Sequence, residues 1–131
     1  MSAAILALAI GTSITTLQRA FLSLDTARNL TLAGQIMANE MEKMRMSDWT
    51  TVSGYPTGPT TVTVDSSFTS NPTIATRLAL SRSVSTVGGN ANMLQLTYTI
   101  TWNSYDRRTI SRSNTTYYSR YGIYGYLYTT T

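Results

Sequence analysis

The first third of the chain has the hydrophobic pattern of one long α-helix. Residues 2–46 contain no proline, and their apolar side chains recur every three or four residues, as the 3.6-residue period of a helix requires. Such a helix measures about 65–70 Å at 1.5 Å per residue, whereas a domain of this size is only about 30 Å across. We therefore predict that roughly half of the helix protrudes from the domain. The apolar stripe consists of Ile14, Leu17, Phe21, Leu24, Ala27, Leu30, Ala33, Met37, Met41 and Met44.

The N-terminal part of this predicted helix is the more apolar one, because the first charged side chain is that of Arg19. We expect residues 1–24 to protrude and residues 25–48 to form an amphipathic segment that packs on the rest of the protein. Residues 11–16, "GTSITT", combine a glycine with β-branched side chains, and both lower helix propensity. A bend or a local unwinding of the helix is predicted there.

After residue 48 the pattern changes to the alternation that is typical of β-strands. The prolines and glycines of "SGYPTGPTT" end the helix, and "RLALSRSVSTV", "MLQLTYTITW" and "RTISRSNTTYY" then predict three strands joined by hairpin-length connections. The segment "TTVTV" is a candidate edge strand. The predicted fold class is α+β, in which the long N-terminal helix packs on an antiparallel meander of three or four strands within residues 49–131. The helix face with Met37, Met41 and Met44 should be the partner of this sheet.

Composition excludes most kinds of catalytic site. The chain has neither cysteine nor histidine, so disulfides, thiolate nucleophiles and the usual zinc sites are absent. Beyond residue 48 the only carboxylates are Asp65 and Asp106, in different predicted loops, and neither has a partner that would tune its pKa. We expect no enzyme activity, no cofactor and no metal. The polar surface is rich in Thr, Ser, Asn and Tyr, a composition commoner in secreted and surface-exposed proteins.

The apolar start of the chain has three interpretations. A cleaved secretory signal would need a positive segment ahead of the apolar run, and none precedes it here. A membrane anchor needs about 20 apolar residues, so the uncharged residues 1–18 are at the short limit. Self-association of the protruding helices is favoured by small residues, which permit close helix approach. The residues predicted to form the core of such an assembly are Ala3, Ala7, Ile10, Ile14, Leu17, Phe21 and Leu24.

The segment "AAILALAIGTSITTLQRAFLSLDTARNLTLAGQIMANEMEKMR" resembles the N-terminal helix of type IV pilins and of the pilin-like pseudopilins. It shares with them an opening of alanine, leucine and isoleucine, a glycine, an LQ step and a charged close. The segment "LTYTITWNSYDRRTISRSNTTYYSRYG" has a weaker likeness to their strand pair and return. The resemblance implies a structural subunit of an extracellular filament at the cell surface, with the N-terminal helices bundled in its core. It also implies residence in the inner membrane before assembly, many identical copies as partners, and dedicated pilus assembly machinery.

The chain departs from the family at its start. The family's marker is a basic leader that ends in glycine, followed by a methylated residue and by a glutamate at the fifth mature position. Here position 5 is Ile5, and the first acid is Asp25. We expect Met1 to correspond to a point several residues inside the family's mature N-terminus. In that register residues 11–16 fall near the stretch that often unwinds in assembled pilin filaments.

Charged and aromatic residues outside the apolar stripe are candidates for contacts. Arg19, Asp25 and Arg28 lie where the helix would leave the filament core, so they are candidates for charge pairs between subunits. A second set is expected to contact neighbouring subunits or a ligand, with a nucleic-acid stacking groove and carbohydrate adhesion as the less favoured alternatives. This second set consists of Arg107, Arg108, Arg112, Tyr121, Tyr124, Tyr126 and Tyr128.

The function expected from the sequence is thus that of a structural subunit of a type IV pilus-like filament. One alternative is a secretion-system pseudopilin or a minor tip pilin. Another is a membrane-anchored module that binds DNA or a glycan.

Overall fold

The computed structural model describes residues 1–122 and contains one long helix and a four-stranded antiparallel sheet. The fold is α+β, as predicted. Two short helices, which the sequence pattern did not predict, lie in the connections. In chain order the elements are α1 (Ser2–Met46), α2 (Trp49–Ser53), β1 (Thr60–Val62), α3 (Pro72–Ala75), β2 (Leu78–Val87), β3 (Asn90–Asn103) and β4 (Thr109–Ser119).

The sheet is a meander in which each strand pairs with the next one along the chain, in the order β1-β2-β3-β4. The β2–β3 turn uses Gly88 and Gly89, whose φ angles of 55° and 77° favour residues without a Cβ. The predicted edge strand forms only over Thr60–Val62, where it pairs with β2. Strand β4 is therefore the long strand at the opposite edge.

The hydrophobic core lies between the second half of α1 and one face of the sheet. The predicted methionine face is confirmed, since Met37, Met41 and Met44 are all at most 7% exposed. The period of two explains the sheet side, because alternate residues of β3 point toward the helix and are buried. The largest fully buried side chains are Trp102, Tyr98, Ile36, Met44, Leu80, Leu96, Ile100 and Val52.

The end of α1 is held against β4. The helix stops at Ser47, whose ψ of 152° is extended, and its backbone carbonyl accepts a hydrogen bond from the Tyr118 hydroxyl. Trp49 stacks on the ring of Tyr118 with 6.0 Å between the ring centroids. The carboxylate of Asp48 accepts from the backbone N–H of Thr51 and so caps α2. The Tyr118 contacts thus fix the C-terminal end of α1 on the sheet.

The predicted unwinding at residues 11–16 is wrong, because α1 is helical without interruption from Ser2 to Met46. The hydroxyls of this segment point back along the helix and donate to carbonyl oxygens of the preceding turn. Thr12 and Ser13 both donate to the carbonyl of Ala9, at 3.0 and 2.8 Å, and Thr15 donates to that of Gly11 at 3.0 Å. Local hydrogen bonds thus occupy hydroxyls for which no other partner is within reach.

Candidate functional site

The N-terminal half of α1 stands outside the domain. All residues from 1 to 24 are exposed, whereas α1 has its first buried residue at Ala33. The helix is long and apolar enough to cross a membrane, and no part of its most apolar stretch is buried. The large apolar side chains at least half exposed in this part are Met1, Ile5, Leu6, Leu8, Ile10, Ile14, Leu17, Phe21 and Leu24.

The predicted assembly residues form one continuous stripe on this exposed half. From Ala3 to Leu24 their spacing alternates between four and three residues, which keeps all seven on one side of the helix. Residues 2–10 also carry Ile5, Leu6 and Leu8 on the other sides, so this part is apolar all round. A helix of that kind is normally buried in a protein core or in lipid. From residue 11 onward the far side is polar, and the exposed half becomes amphipathic.

A groove marks the place where α1 leaves the domain. It has a volume of about 570 Å³ and lies between the helix and the β3–β4 turn, with Gln18, Phe21, Leu22, Tyr105 and Asp106 as its lining. Phe21 and Tyr105 are 67% and 69% exposed, so both offer aromatic surface at this point. The turn is tied internally, because the backbone N–H of Ser104 donates to the carbonyl of Arg108 at 2.8 Å.

The three predicted charge-pair residues differ in their surroundings. Asp25 has partners within its own chain, since its carboxylate lies 3.8 Å from the guanidinium of Arg77 and accepts from Asn29 at 3.2 Å. Arg19 and Arg28 have no acid within 4.0 Å, and every charged side chain belongs to the described residues 1–122. Asp25 is therefore engaged before any subunit contact is made, unlike the two arginines.

The other acids are also satisfied inside the chain. Lys43 bridges Glu40 and Asp65 at 3.1 and 2.6 Å. The ammonium group of Lys43, together with the N–H and hydroxyl of Ser67, holds the pKa of Asp65 well below its usual range. The same bridge raises the pKa of Lys43, first through Asp65 and then through Glu40. Two short-range pairs complete the set, Arg45 with Glu42 and Arg108 with Asp106.

The residues of the second predicted contact set are not brought together. Arg107 and Arg108 lie in the β3–β4 turn, Arg112 is on β4 opposite Ile100, and Tyr121 follows the far end of β4. A strand of this length spans about 35 Å, so the turn arginines and Tyr121 do not line one groove. The guanidinium of Arg120 instead lies 5.4 Å from the ring of Tyr121. Tyr124, Tyr126 and Tyr128 lie outside the described residues.

Sequence reasoning missed the role of Arg77. Its guanidinium donates to the carbonyl of Asn103 at 3.0 Å, lies 4.4 Å from the centroid of the Tyr105 ring, and reaches Asp25 on α1. Arg77 thereby links the end of β3 and the β3–β4 turn to α1 at the point where α1 leaves the domain. No motif in the sequence marks Arg77. It can be placed beside Asn103 only when the β2–β3 register is known, since Leu78 pairs with Trp102.

The outward face of the sheet is a second surface that the sequence pattern did not single out. Hydroxyls pair across its strands, with Thr97 and Thr115 at 3.0 Å and Thr99 and Ser113 at 2.8 Å. No charged side chain occupies this face within strands β1 to β4, because all charged residues of these strands point to the helix side. The face is therefore polar and neutral.

The chain matches no protein-family model, no curated protein and no solved structure. Among residues 1–122 no group of three or more Asp or Glu side chains is placed to hold a metal ion. The surface that the described structure offers for function is thus the exposed half of α1 with the end of the domain beside it.

Proposed function

We propose that this chain is a structural subunit of an extracellular type IV pilus-like filament and that it polymerises through the apolar half of α1. The observation that carries this proposal is the complete exposure of an apolar helix over residues 1–24. In water such a helix would be marginal, because isolated helices depend on the burial of an apolar face. Its stable surroundings are a lipid bilayer or other copies of itself.

The folded part of the chain supports an arrangement with the helices inside and the sheet domain outside. The described part of the domain covers the second half of α1 and approaches the first half only from residue 18 onward, so residues 1–17 are free for contacts around the helix. The small residues Ala3, Ala7 and Gly11 allow neighbouring helices to approach closely. Burial of apolar surface at roughly 25 cal/mol per Å² then drives assembly. Before assembly the same surface is accommodated by the membrane.

Arg19 and Arg28 are retained in this proposal as contacts between subunits. Five of the six acidic side chains already pair with a cation of their own chain, so a pair between one of them and a neighbour requires an exchange of an existing pair. Asp48, which accepts from the backbone N–H of Thr51, is the exception. Asp25 is the nearest acid along the helix. Of its two current contacts, the one with Arg77 at 3.8 Å is longer than the one with Asn29 at 3.2 Å, so the pair with Arg77 is the easier one to exchange.

A second candidate function is that of a membrane-anchored module without a filament, which the single apolar helix near the N-terminus also suits. In that case a soluble fragment beginning at residue 25 would bind DNA or a glycan as a monomer. A secretion-system pseudopilin or a minor tip pilin would share the architecture proposed here but would occur in few copies per cell.

The test of the filament is a matched pair of substitutions. Ala7→Asp places a carboxylate in the proposed helical core, while Ala91→Asp makes the same change at an exposed position near the start of β3. We expect electron micrographs of native material to show filaments several nanometres wide for the parent chain and for Ala91→Asp, and none for Ala7→Asp. Filaments of normal abundance with Ala7→Asp would refute a core made of these helices, and a parent chain found only as a monomer or dimer would refute the filament itself.

A further inference from the structure

Positive charge is concentrated at the end of the domain from which α1 emerges. We call this end the exit surface and define it by Arg19, Arg77, Tyr105, Arg107 and Arg108, which lie on α1, before β2 and in the β3–β4 turn. These four arginines are accompanied by only two acids, Asp25 and Asp106. The remainder of the positive charge on the sheet domain is spread along its length.

Two arginines of the exit surface have no acidic partner. Arg77 is paired with Asp25, and Arg108 is paired with Asp106. Arg19 and Arg107 are exposed and lie beyond 4.0 Å from any carboxylate among the described residues, which include every charged side chain. Arg107 has a φ of 63°, and its backbone N–H donates to the carbonyl of Ser104 at 2.9 Å, so the tight turn holds it in place.

The exit surface lies at a defined height relative to the apolar helix. Residues 2–18 rise about 26 Å along the helix axis at 1.5 Å per residue, close to the roughly 30 Å of a bilayer's hydrocarbon core. When this segment is in a bilayer, Arg19 is the first charged residue at the headgroup level. Gln18 and Phe21 line the same groove as Tyr105, so the β3–β4 turn lies within about one helical turn of the same plane.

We propose that the exit surface binds anionic lipid headgroups and docks the domain onto the membrane while α1 is inserted. This inference rests on the membrane-inserted stage of the proposed function. Its chemistry is that of guanidinium groups on headgroup phosphates, with the exposed rings of Phe21 and Tyr105 in the interfacial layer where aromatic side chains concentrate. Each arginine near an anionic surface strengthens docking about fivefold.

The absence of cysteine from the chain makes a direct measurement practical. Thr109→Cys, beside the exit surface, and Ala91→Cys, at the far end of the sheet, each provide a single site for a fluorophore. The full chain is reconstituted into phosphatidylcholine vesicles with or without phosphatidylglycerol, and a spin label on the lipid headgroups quenches the fluorophore on contact. We expect added phosphatidylglycerol to increase quenching at position 109 and not at position 91, and salt to reverse the increase.

Substitutions at the two ends of β4 assign the effect to individual arginines. Arg107→Gln should lower the ratio of docked to undocked chain about fivefold, and Arg19→Gln with Arg107→Gln about 30-fold. Arg120→Gln removes the same charge at the opposite end of β4 and should leave the ratio unchanged. Equal quenching in the two kinds of vesicle, or an effect of Arg120→Gln as large as that of Arg107→Gln, would overturn the inference.

A label at Ala7→Cys distinguishes failure of this inference from failure of the proposed function. If quenchers in the hydrocarbon core reach that label but quenching at position 109 does not change with phosphatidylglycerol, the helix inserts and only the docking is wrong. If the label at position 7 is never reached, membrane insertion and docking both fail. A duplex DNA that binds the exit surface more tightly than the vesicles do would reassign this surface to nucleic acid.

Discussion

The two halves of α1 are parts of one uninterrupted helix with opposite surroundings. Residues 25–46 bury one face against the sheet, whereas residues 1–24 are all exposed and approach the domain only at the groove beside the β3–β4 turn. The half with tertiary contacts also carries most of the charges of the helix, with Glu42, Lys43 and Arg45 on its solvent side. The exposed half keeps apolar residues on every side of residues 2–10. The domain thus covers one half of the helix, and residues 25–122 leave the apolar side chains of the other half exposed.

The largest contrast should come from one substitution made in both halves. Ala33→Asp buries an unpaired carboxylate at a position that is 0% exposed, and it should cost about 3–5 kcal/mol, enough to unfold many domains of this size. Ala7→Asp places the same group at an exposed position and should leave the thermal unfolding of the domain unchanged while filaments are lost. Circular dichroism of detergent-solubilised protein separates these effects. Equal destabilisation by both substitutions would contradict the division of α1 into two halves.

A smaller effect of the same kind is expected for isoleucine truncation. Ile36 is 1% exposed and Ile10 is 52% exposed. Ile36→Ala should lower the free energy of unfolding by about 2–5 kcal/mol through lost burial and a residual cavity. Ile10→Ala should change it by less than about 0.5 kcal/mol, as is usual for exposed positions. Chemical denaturation of both variants in the same detergent measures the difference, and a similar loss at both positions would show that Ile10 has a partner in the monomer.

The smallest expected effect is the change in thermal stability at acid pH. It should arise in the sheet domain and in residues 25–46, and not in the exposed half of α1. The depressed pKa of Asp65 contributes stability that is fully present above its unfolded pKa of about 3.9 and is lost as the pH falls through its folded value. Thermal unfolding should therefore shift to lower temperature below about pH 4. Asp65→Asn, which cannot titrate, should flatten this dependence, while residues 1–18 carry no titratable side chain and add nothing to it. An unchanged acid profile in Asp65→Asn would assign the dependence to Asp48 and Asp106, whose pKa values are also lowered.

The regular elements were predictable because their periodicity is strong. The alternations in "RLALSRSVSTV" and "MLQLTYTITW" correspond closely to β2 and β3, and the weaker third alternation corresponds to β4. The short helices were missed although their caps were visible: Asp48 precedes α2, and Asn71 with Pro72 begins α3. Helices of four or five residues are too short for a hydrophobic period, so a capping residue was the only signal.

The candidate site was predictable in part for the same reason. The apolar stripe from Ala3 to Leu24 follows from the helical period and from the lack of charge before Arg19. The exit surface did not follow, because its arginines come from α1, from the residue before β2 and from the β3–β4 turn, which are far apart in the chain. Only the register between strands and the crossing of helix and sheet place Arg77 beside Tyr105 and Asp25.

The sequence by itself determined that one long helix is followed by a meander and that the first half of the helix is too apolar for water. These are local properties, set by periodicity, propensity and charge. The tertiary structure alone decided where the domain stops covering the helix and which charges are already paired. Those outcomes depend on which groups come within a few ångströms after folding, and spacing along the chain does not specify such distances.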